Sequence, residues 1–312
     1  MMPLADAEHF VRAPDWTWYI LFYFFLAGLS GGSYVLATLL RLRGGPANES
    51  AARVGYYVAF PTMLVCPILL TLDLGKPLRF WHMLVNTTPG DMAPIFKYWS
   101  PMSVGAWALM VFSVFVTVSF VGALAGDRVI HLPAVDRLLG GAFGKLWSVL
   151  GAVAGLFIAG YTGVLLAVSN QPVWSDTWAL GALFLASGLS GSAALLGWLV
   201  RHRRDAQGRA VALVRGERFF LLLELALIVA VVVTLIPAGA LSKAFGFPWI
   251  LLWLVAVASL LPGLRGPART QLRATPDGAA AVPVAAAPGL MLTTLVLIGV
   301  LALRAAVIFS AQ

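Results

Sequence analysis

The residues of this chain best suited to chemistry stand together in the stretch Asp73-Leu-Gly-Lys-Pro-Leu-Arg-Phe-Trp-His82, followed by Trp99-Ser-Pro-Met-Ser-Val-Gly-Ala-Trp107. A carboxylate, two cations, an indole and an imidazole lie within one short loop between long apolar segments. Such groups can hold or pass a proton, orient a polar headgroup, or dock a partner. In a loop they can equally form an ion-pair cluster of small net worth. Pro67 and Pro77 bracket Asp73, which favours the sharper reading of a proton or quinone site at the end of an apolar segment.

Other polar residues lie inside or beside apolar runs. Glu224, in Phe219-Phe-Leu-Leu-Leu-Glu-Leu-Ala-Leu, is expected about 8 Å into its helix at a rise of ~1.5 Å per residue. There it either takes protons from that side or pairs with an Arg or a neighbouring helix, since ionisable groups in a membrane are costly enough to need a purpose or a partner. Arg304, in the last apolar run, and Asn170, after the fourth, are expected near the face that carries Asp73. Asp176 is read as the cap of the fifth helix. Tyr23 and Tyr161 fall at matching depths, and a buried phenol needs a hydrogen-bond partner, which a quinone carbonyl or a backbone carbonyl can provide.

The elements that position these groups follow from composition. Hydrophobic residues make up 60% of the 312, and charged residues only 11%. That excludes an ordinary soluble domain. Crossing a core of ~30 Å takes roughly 20 helical residues, and eight segments qualify, near 17–41, 54–72, 100–125, 146–169, 177–200, 219–241, 245–264 and 288–309. The expected fold is an all-α integral membrane protein of eight transmembrane helices. A mixed polar stretch precedes a first apolar run too long for a signal core, so this helix is expected to stay as an anchor.

Basic residues orient the chain. The first, third, fifth and seventh loops hold Arg41, Arg43 and Arg53; Arg128, Arg137 and Lys145; Arg201, Arg203, Arg204, Arg209, Arg215 and Arg218; and Arg265, Arg269 and Arg273, together 15 of the 21 Lys and Arg. The other side has Arg12, Lys76, Arg79, Lys97, Lys243 and Arg304. Retained loops are Lys- and Arg-rich, so both termini and the 73–99 loop are expected outside, across the inner (cytoplasmic) membrane. This bias accounts for the net charge of +8, and no nucleic-acid partner is needed to explain it.

The first and fifth segments repeat. Phe25-Leu-Ala-Gly-Leu-Ser-Gly-Gly-Ser33 echoes Phe184-Leu-Ala-Ser-Gly-Leu-Ser-Gly-Ser192, with a shared Gly-Leu-Ser-Gly at 28 and 188. Separated by an even number of crossings, the two run in the same direction, which predicts two parallel four-helix bundles with halves near 17–169 and 177–309. Cut at the loop before the fourth helix, the chain divides into 1–145, carrying the 73–99 loop, and 146–312, carrying the remaining five helices. The glycines are expected to let helices approach closely. The 265–288 stretch, rich in Ala, Pro and Gly, reads as a mobile connection without chemistry.

Metal centres find little support. His9, His82, His131 and His202 include no pair at helical spacing within an apolar segment, so neither haem ligation nor another metal site is expected. Cys66 is the single cysteine, so any iron–sulfur cluster must belong to a partner.

Taken in order, the 73–82 stretch, Ser100-Pro-Met-Ser-Val-Gly-Ala-Trp107, Tyr161-Thr-Gly-Val-Leu-Leu166 and Phe184-Leu-Ala-Ser-Gly-Leu-Ser190 resemble the NrfD/PsrC-type membrane subunits of the polysulfide reductase family. The resemblance implies eight helices in two bundles, without haem. It also implies electron exchange between a quinone (menaquinone or ubiquinone) and a ferredoxin-like iron–sulfur subunit, which normally serves a molybdopterin catalytic subunit. It assigns Tyr161 to the quinone, with Tyr23, Arg304 and Asn170 as further candidates for that pocket. The family's pocket also uses an Asn and a His early in the first helix, where this chain has Ile20 and Tyr23. Lys76, Arg79 and Trp81 then form part of a docking face, and Asp73, His82 and Glu224 are candidate proton carriers. The competing readings are a secondary transporter, against which stands the near absence of charge at the membrane midplane, and a passive anchor for a redox partner.

Overall fold

The computed structural model describes residues 14–88, 90, 92–206, 210–265, 270–274, 281–285 and 289–312; His9, Arg12, Arg209 and Arg269 lie outside the described residues. The helices are α1 (Trp18–Leu42), α2 (Pro46–Asp73), α3 (Pro101–Gly126), α4 (Pro133–Gly140), α5 (Ala142–Ala167), α6 (Leu180–Val200), α7 (Ala210–Leu235), α8 (Leu241–Phe245), α9 (Trp249–Arg265) and α10 (Leu290–Ser310). Among the described residues, seven of them are long and apolar enough to cross a membrane: α1, α2, α3, α5, α6, α7 and α10.

The seventh expected span, near 245–264, departs from that count. Its apolar run is interrupted by Gly246 and Pro248, so the chain forms the short α8 and only then the 17-residue α9. A helix of that length lies at the lower limit for crossing a bilayer. The connection after α9 also differs from the structureless stretch expected, because β1 (Thr270–Ala274) and β2 (Ala281–Ala285) pair antiparallel with Thr270 opposite Ala285.

α1 and α6 lie at the centre, buried along most of their length. They meet at the repeated glycines. A methyl group added to Gly188 would stand 2.9 Å from the Gly28 carbonyl oxygen, and one on Gly32 would stand 2.7 Å from that of Gly188. Backbone contact of this kind is open only to glycine, and lipid offers no hydrophobic drive that could replace it. α2 and α5 pack on α1, α3 on α2 and α5, and α7 and α10 on α6, with α9 against α10 and α7.

At the Arg-rich end a polar clasp ties these layers together. Asp127, just past α3, receives a two-pronged hydrogen bond from Arg203 (2.8 and 2.9 Å), a contact from Arg53 Nε at 2.6 Å and the Tyr57 hydroxyl at 2.8 Å. Arg203 also reaches Asp205, which Ser50 hydrogen-bonds. Burial works against the charged form of Asp127, but hydrogen bonds from Arg203 and Tyr57 and the charges of Arg53 and Arg203 outweigh it and hold the carboxyl below its usual range.

Candidate functional site

α2 stops at Asp73 because Gly75 takes a left-handed φ of 68° and Pro77 cannot continue the ladder. The chain then forms a 3-10 turn over Pro77–Met83 with no buried residue. It folds back through Asn86 N to Ala93 O and Ile95 N to Leu84 O, both 2.8 Å. Trp107 Nε1 pins this excursion by donating to the Ile95 carbonyl at 2.8 Å. α3 then starts on Ser100, whose hydroxyl accepts from Ser103 N, with Pro101 in the first turn, where its missing N–H costs nothing.

Behind this loop lies a cavity of about 520 Å³ lined by α1, α2, α3, α5 and the loop. Its wall is mostly apolar, including Ile20, Phe24, Leu70, Phe80, Leu109 and Leu165, and its polar groups are few: Tyr23, Asp73, Thr71, Ser113 and Tyr161. That is the usual make-up of a site for a largely apolar ligand with a polar head. Tyr161 donates its hydroxyl to the Pro101 carbonyl at 2.5 Å, leaving its oxygen lone pairs to accept. Gly105 permits this geometry, because a Cβ there would overlap the Tyr161 ring and hydroxyl. Asp73 accepts a hydrogen bond from Thr17 Oγ1 at 3.4 Å, so at the cavity rim it meets the cap of α1 rather than forming the alternative ion-pair cluster with the loop cations.

The structure thus brings Tyr161, Tyr23 and Asp73 to one cavity. Arg304 and Asn170 do not line it. Asn170 is exposed, and its neighbour Gln171 is the buried amide, with Nε2 donating to the Ala311 carbonyl. Arg304 is fully buried but points at α6, donating to Ser187 Oγ at 2.8 Å and the Phe184 carbonyl at 3.1 Å and lying 5.0 Å over the Phe184 ring. His82 stands outside the cavity, in a shallow depression shared with Leu74, Gly75, Lys76, Arg79 and Met83, and sets its ring edge-on to Trp81 at 4.2 Å.

Two further expectations change. α7 begins at Ala210 rather than 219, so Glu224 sits near the middle of its helix, about 20 Å from its start at ~1.5 Å per residue. There it pairs with Ser190 at 2.6 Å, and with Arg304 it places buried ionisable groups inside the helical layer, where almost none were expected. Asp176 does not cap α6: it accepts from Val173 N at 2.8 Å and closes the turn in which Val173 has φ 76°.

Trp16 and Thr17 are site residues outside the motifs, and Gly105 lies within the Ser100–Trp107 motif without having been given a role. Trp16 stacks on Trp174 at 5.0 Å, and Trp174 is anchored to α10 through its Nε1 bond to the Val307 carbonyl. The one sequence signal was the Asp-Trp-Thr-Trp run at the start of α1, which places aromatics at an interface and a capping hydroxyl beside them.

Comparison with known proteins gives this geometry a context. The chain is 28% identical over 219 residues to the C chain of polysulfide reductase from Wolinella succinogenes, covering 67% of this chain and 66% of that one. It is 26% identical over 221 residues to Protein NrfD of Escherichia coli, covering 65% of each. To the C subunit of selenate reductase from Mesobacillus selenatarsenatis it is 32% identical over 78 residues, 25% of this chain and 18% of that one. It spans just under two thirds of the length of the first two relatives and less than a fifth of the third. The family described as Polysulphide reductase, NrfD, matches residues 7–261, through the cavity helices and into α9, and the chain belongs to that family.

Proposed function

We propose that this chain is the quinone-reactive membrane subunit of a respiratory oxidoreductase, exchanging electrons between a quinone in the Tyr161 cavity and a ferredoxin-like iron–sulfur subunit docked outside it. The observation that carries the reading is the cavity itself: about 520 Å³, mostly apolar, with two phenols and a carboxylate among its few polar lining groups. Its volume lies within the ~300–1,000 Å³ of small-molecule sites. Exposed Met102 and Met110 stand among its lining residues, so its mouth lies along α3, where an apolar tail would extend into lipid. Two relatives are named as components of a reductase, which supports a role as one part of a larger redox assembly with a molybdopterin catalytic subunit.

A bound quinone would supply two-electron, two-proton chemistry. Of the chain's own residues, Tyr161, whose hydrogen goes to the Pro101 carbonyl, accepts from a hydroxyl of the reduced headgroup and so orients it. Asp73 holds or releases a proton at the rim, while Tyr23 and Phe24 exclude water behind the headgroup. Lys76, Arg79 and Trp81, with His82 beside them, form a basic and aromatic face next to the cavity for the iron–sulfur partner. The helices form two parallel bundles, α1, α2, α3 and α5 against α6, α7, α9 and α10, related through the Gly28–Gly188 contact. Both termini face the periplasm across the inner membrane.

Purification from native membranes in mild detergent, with mass spectrometry of co-purifying polypeptides and lipids, tests the assembly. A cluster-bearing ferredoxin-like subunit together with bound quinone is the expected recovery. A solitary chain, under conditions that keep comparable complexes intact, would count against it.

A further inference from the structure

The cavity uses the first half of the chain; the second half holds buried ionisable groups that it does not use. We infer that Glu217 and Glu224 form a proton-binding pair inside the second half, loaded from the Arg-rich end of α7. This stands apart from the quinone reading and does not depend on it. The two acids are seven residues apart on α7, so they share a face and stand about 10 Å apart along the axis. Both are buried, at 4% and 1% exposure. Arg215 and Arg218 flank Glu217 in sequence but are exposed. Glu217 points inward from that turn, and among the described residues its Oε1 finds no hydrogen-bond partner. A charge on that carboxylate would leave this oxygen without a donor and carry a desolvation cost that the neutral acid largely avoids.

Hydrogen counting leads to the same conclusion at Glu224. Ser190 Oγ lies 2.6 Å from Glu224 Oε2 and 3.0 Å from the Ser187 carbonyl oxygen. A serine hydroxyl has one hydrogen to give. A carboxylate at Glu224 would draw that hydrogen to itself, and the Ser187 carbonyl would keep only its backbone donor within α6. With the acid form, Glu224 donates to Ser190 and Ser190 donates to the Ser187 carbonyl, so both acceptors are satisfied. Arg304 does not compete for the Ser190 hydroxyl, since it donates to Ser187 Oγ and to the carbonyls of Phe184 and Val300.

The internal repeat sharpens the point. Ser30 occupies the place in α1 that Ser190 occupies in α6, yet it donates to the Ala59 carbonyl of α2 at 2.8 Å. The first half therefore meets its serine with backbone, and the second half meets its own with an acid. From Glu217 through Glu224, Ser190 and Ser187 to Arg304, polar groups run across the bundle. They end at Phe184, whose ring meets Phe24 of the cavity wall at 6.1 Å. The proton resides on a carboxyl oxygen at either acid and passes between them along the α6–α7 seam.

The test is modification of the full chain in lipid nanodiscs by dicyclohexylcarbodiimide, an apolar reagent that attacks carboxylic acids in their protonated form, followed by peptide mass spectrometry. At pH 7 adducts are expected on Glu217 and Glu224, each lost in its own Gln variant. Absence of adducts on both in the wild-type chain would overturn the proposal, and this arm needs no variant to fold. For the direction of loading, infrared detection of the Glu224 acid carbonyl after an alkaline pH jump should show its loss slowed at least tenfold by Glu217→Gln and restored by Glu217→Asp. An unchanged rate in Glu217→Gln would remove Glu217 from the path.

Discussion

Tyr161 is held by two neighbours that do different things: Pro101 accepts its hydroxyl hydrogen at 2.5 Å, and Gly105 leaves room for its ring. With its hydrogen given to Pro101, the hydroxyl can only accept, so removing it deletes one hydrogen bond from a hydroxyl of the reduced ligand, the quinol, worth about 1 kcal/mol, or roughly fivefold in affinity. Tyr161→Phe is therefore expected to weaken quinol binding about fivefold and to lower quinol-dependent turnover, read by titration of a quinol analogue and by steady-state rate. Gly105→Ala should act in the same direction without touching the phenol, because the added methyl displaces the ring. A Gly105→Ala protein with wild-type affinity would show that the position of the ring is immaterial. Asp73 and Thr17 belong to the same scale. Their contact joins residues 56 apart in the chain, which is why no motif pointed to Thr17, whereas Tyr161 and Asp73 were visible as polar groups in apolar surroundings.

The helices stand or fall on contacts between backbones at the centre. Gly28, Gly32 and Gly188 bring α1 and α6 to a separation that any side chain would widen, and overpacking typically costs about 1–3 kcal/mol. Gly188→Val should lower the midpoint of thermal unfolding in detergent and the yield of monodisperse protein. The clasp at Asp127 should respond to pH in a defined sense. Its carboxyl lies lower in the folded chain than the ordinary 3.8, so its contribution is fully present above about pH 4 and is lost as pH falls through the lower folded value. Asp127→Asn, which takes the shared negative charge and one acceptor oxygen from Arg203 and Arg53, is expected to cost roughly 1–3 kcal/mol at pH 7, with the gap to the wild-type chain closing in acid. A gap that does not narrow as the pH is lowered would assign the effect to packing rather than charge. Most helices and the repeat were legible in the chain, because apolar length and small-residue spacing are properties of a segment. The start of α7 was hidden, since Arg215, Glu217 and Arg218 read as loop although they sit on a helical turn that puts the cations outward. The rotation of α10, which turns Arg304 towards α6 rather than the cavity, depends on its neighbours and leaves no mark in its own sequence.

Over the whole molecule, the two halves share a seam at α1 and α6 but have been put to different uses. The first half opens the cavity beside the 3-10 turn, and the second buries Glu217, Glu224 and Arg304. One aromatic layer, Phe24 against Phe184, separates them. Filling the cavity should then abolish electron exchange without disturbing the second half, and Ala106→Trp, on the cavity wall of α3, provides that obstruction. The most direct test of the central claim is quinol-driven reduction of the partner's iron–sulfur clusters in the intact complex, followed by electron paramagnetic resonance, with wild-type and Ala106→Trp chains compared. The clusters should be reduced in the wild-type complex and at least tenfold more slowly in the variant, with the complex still assembled. Equal rates in the two complexes, or no quinol-driven reduction in either, would contradict a quinone site in this cavity and leave the chain as an anchor for its partner.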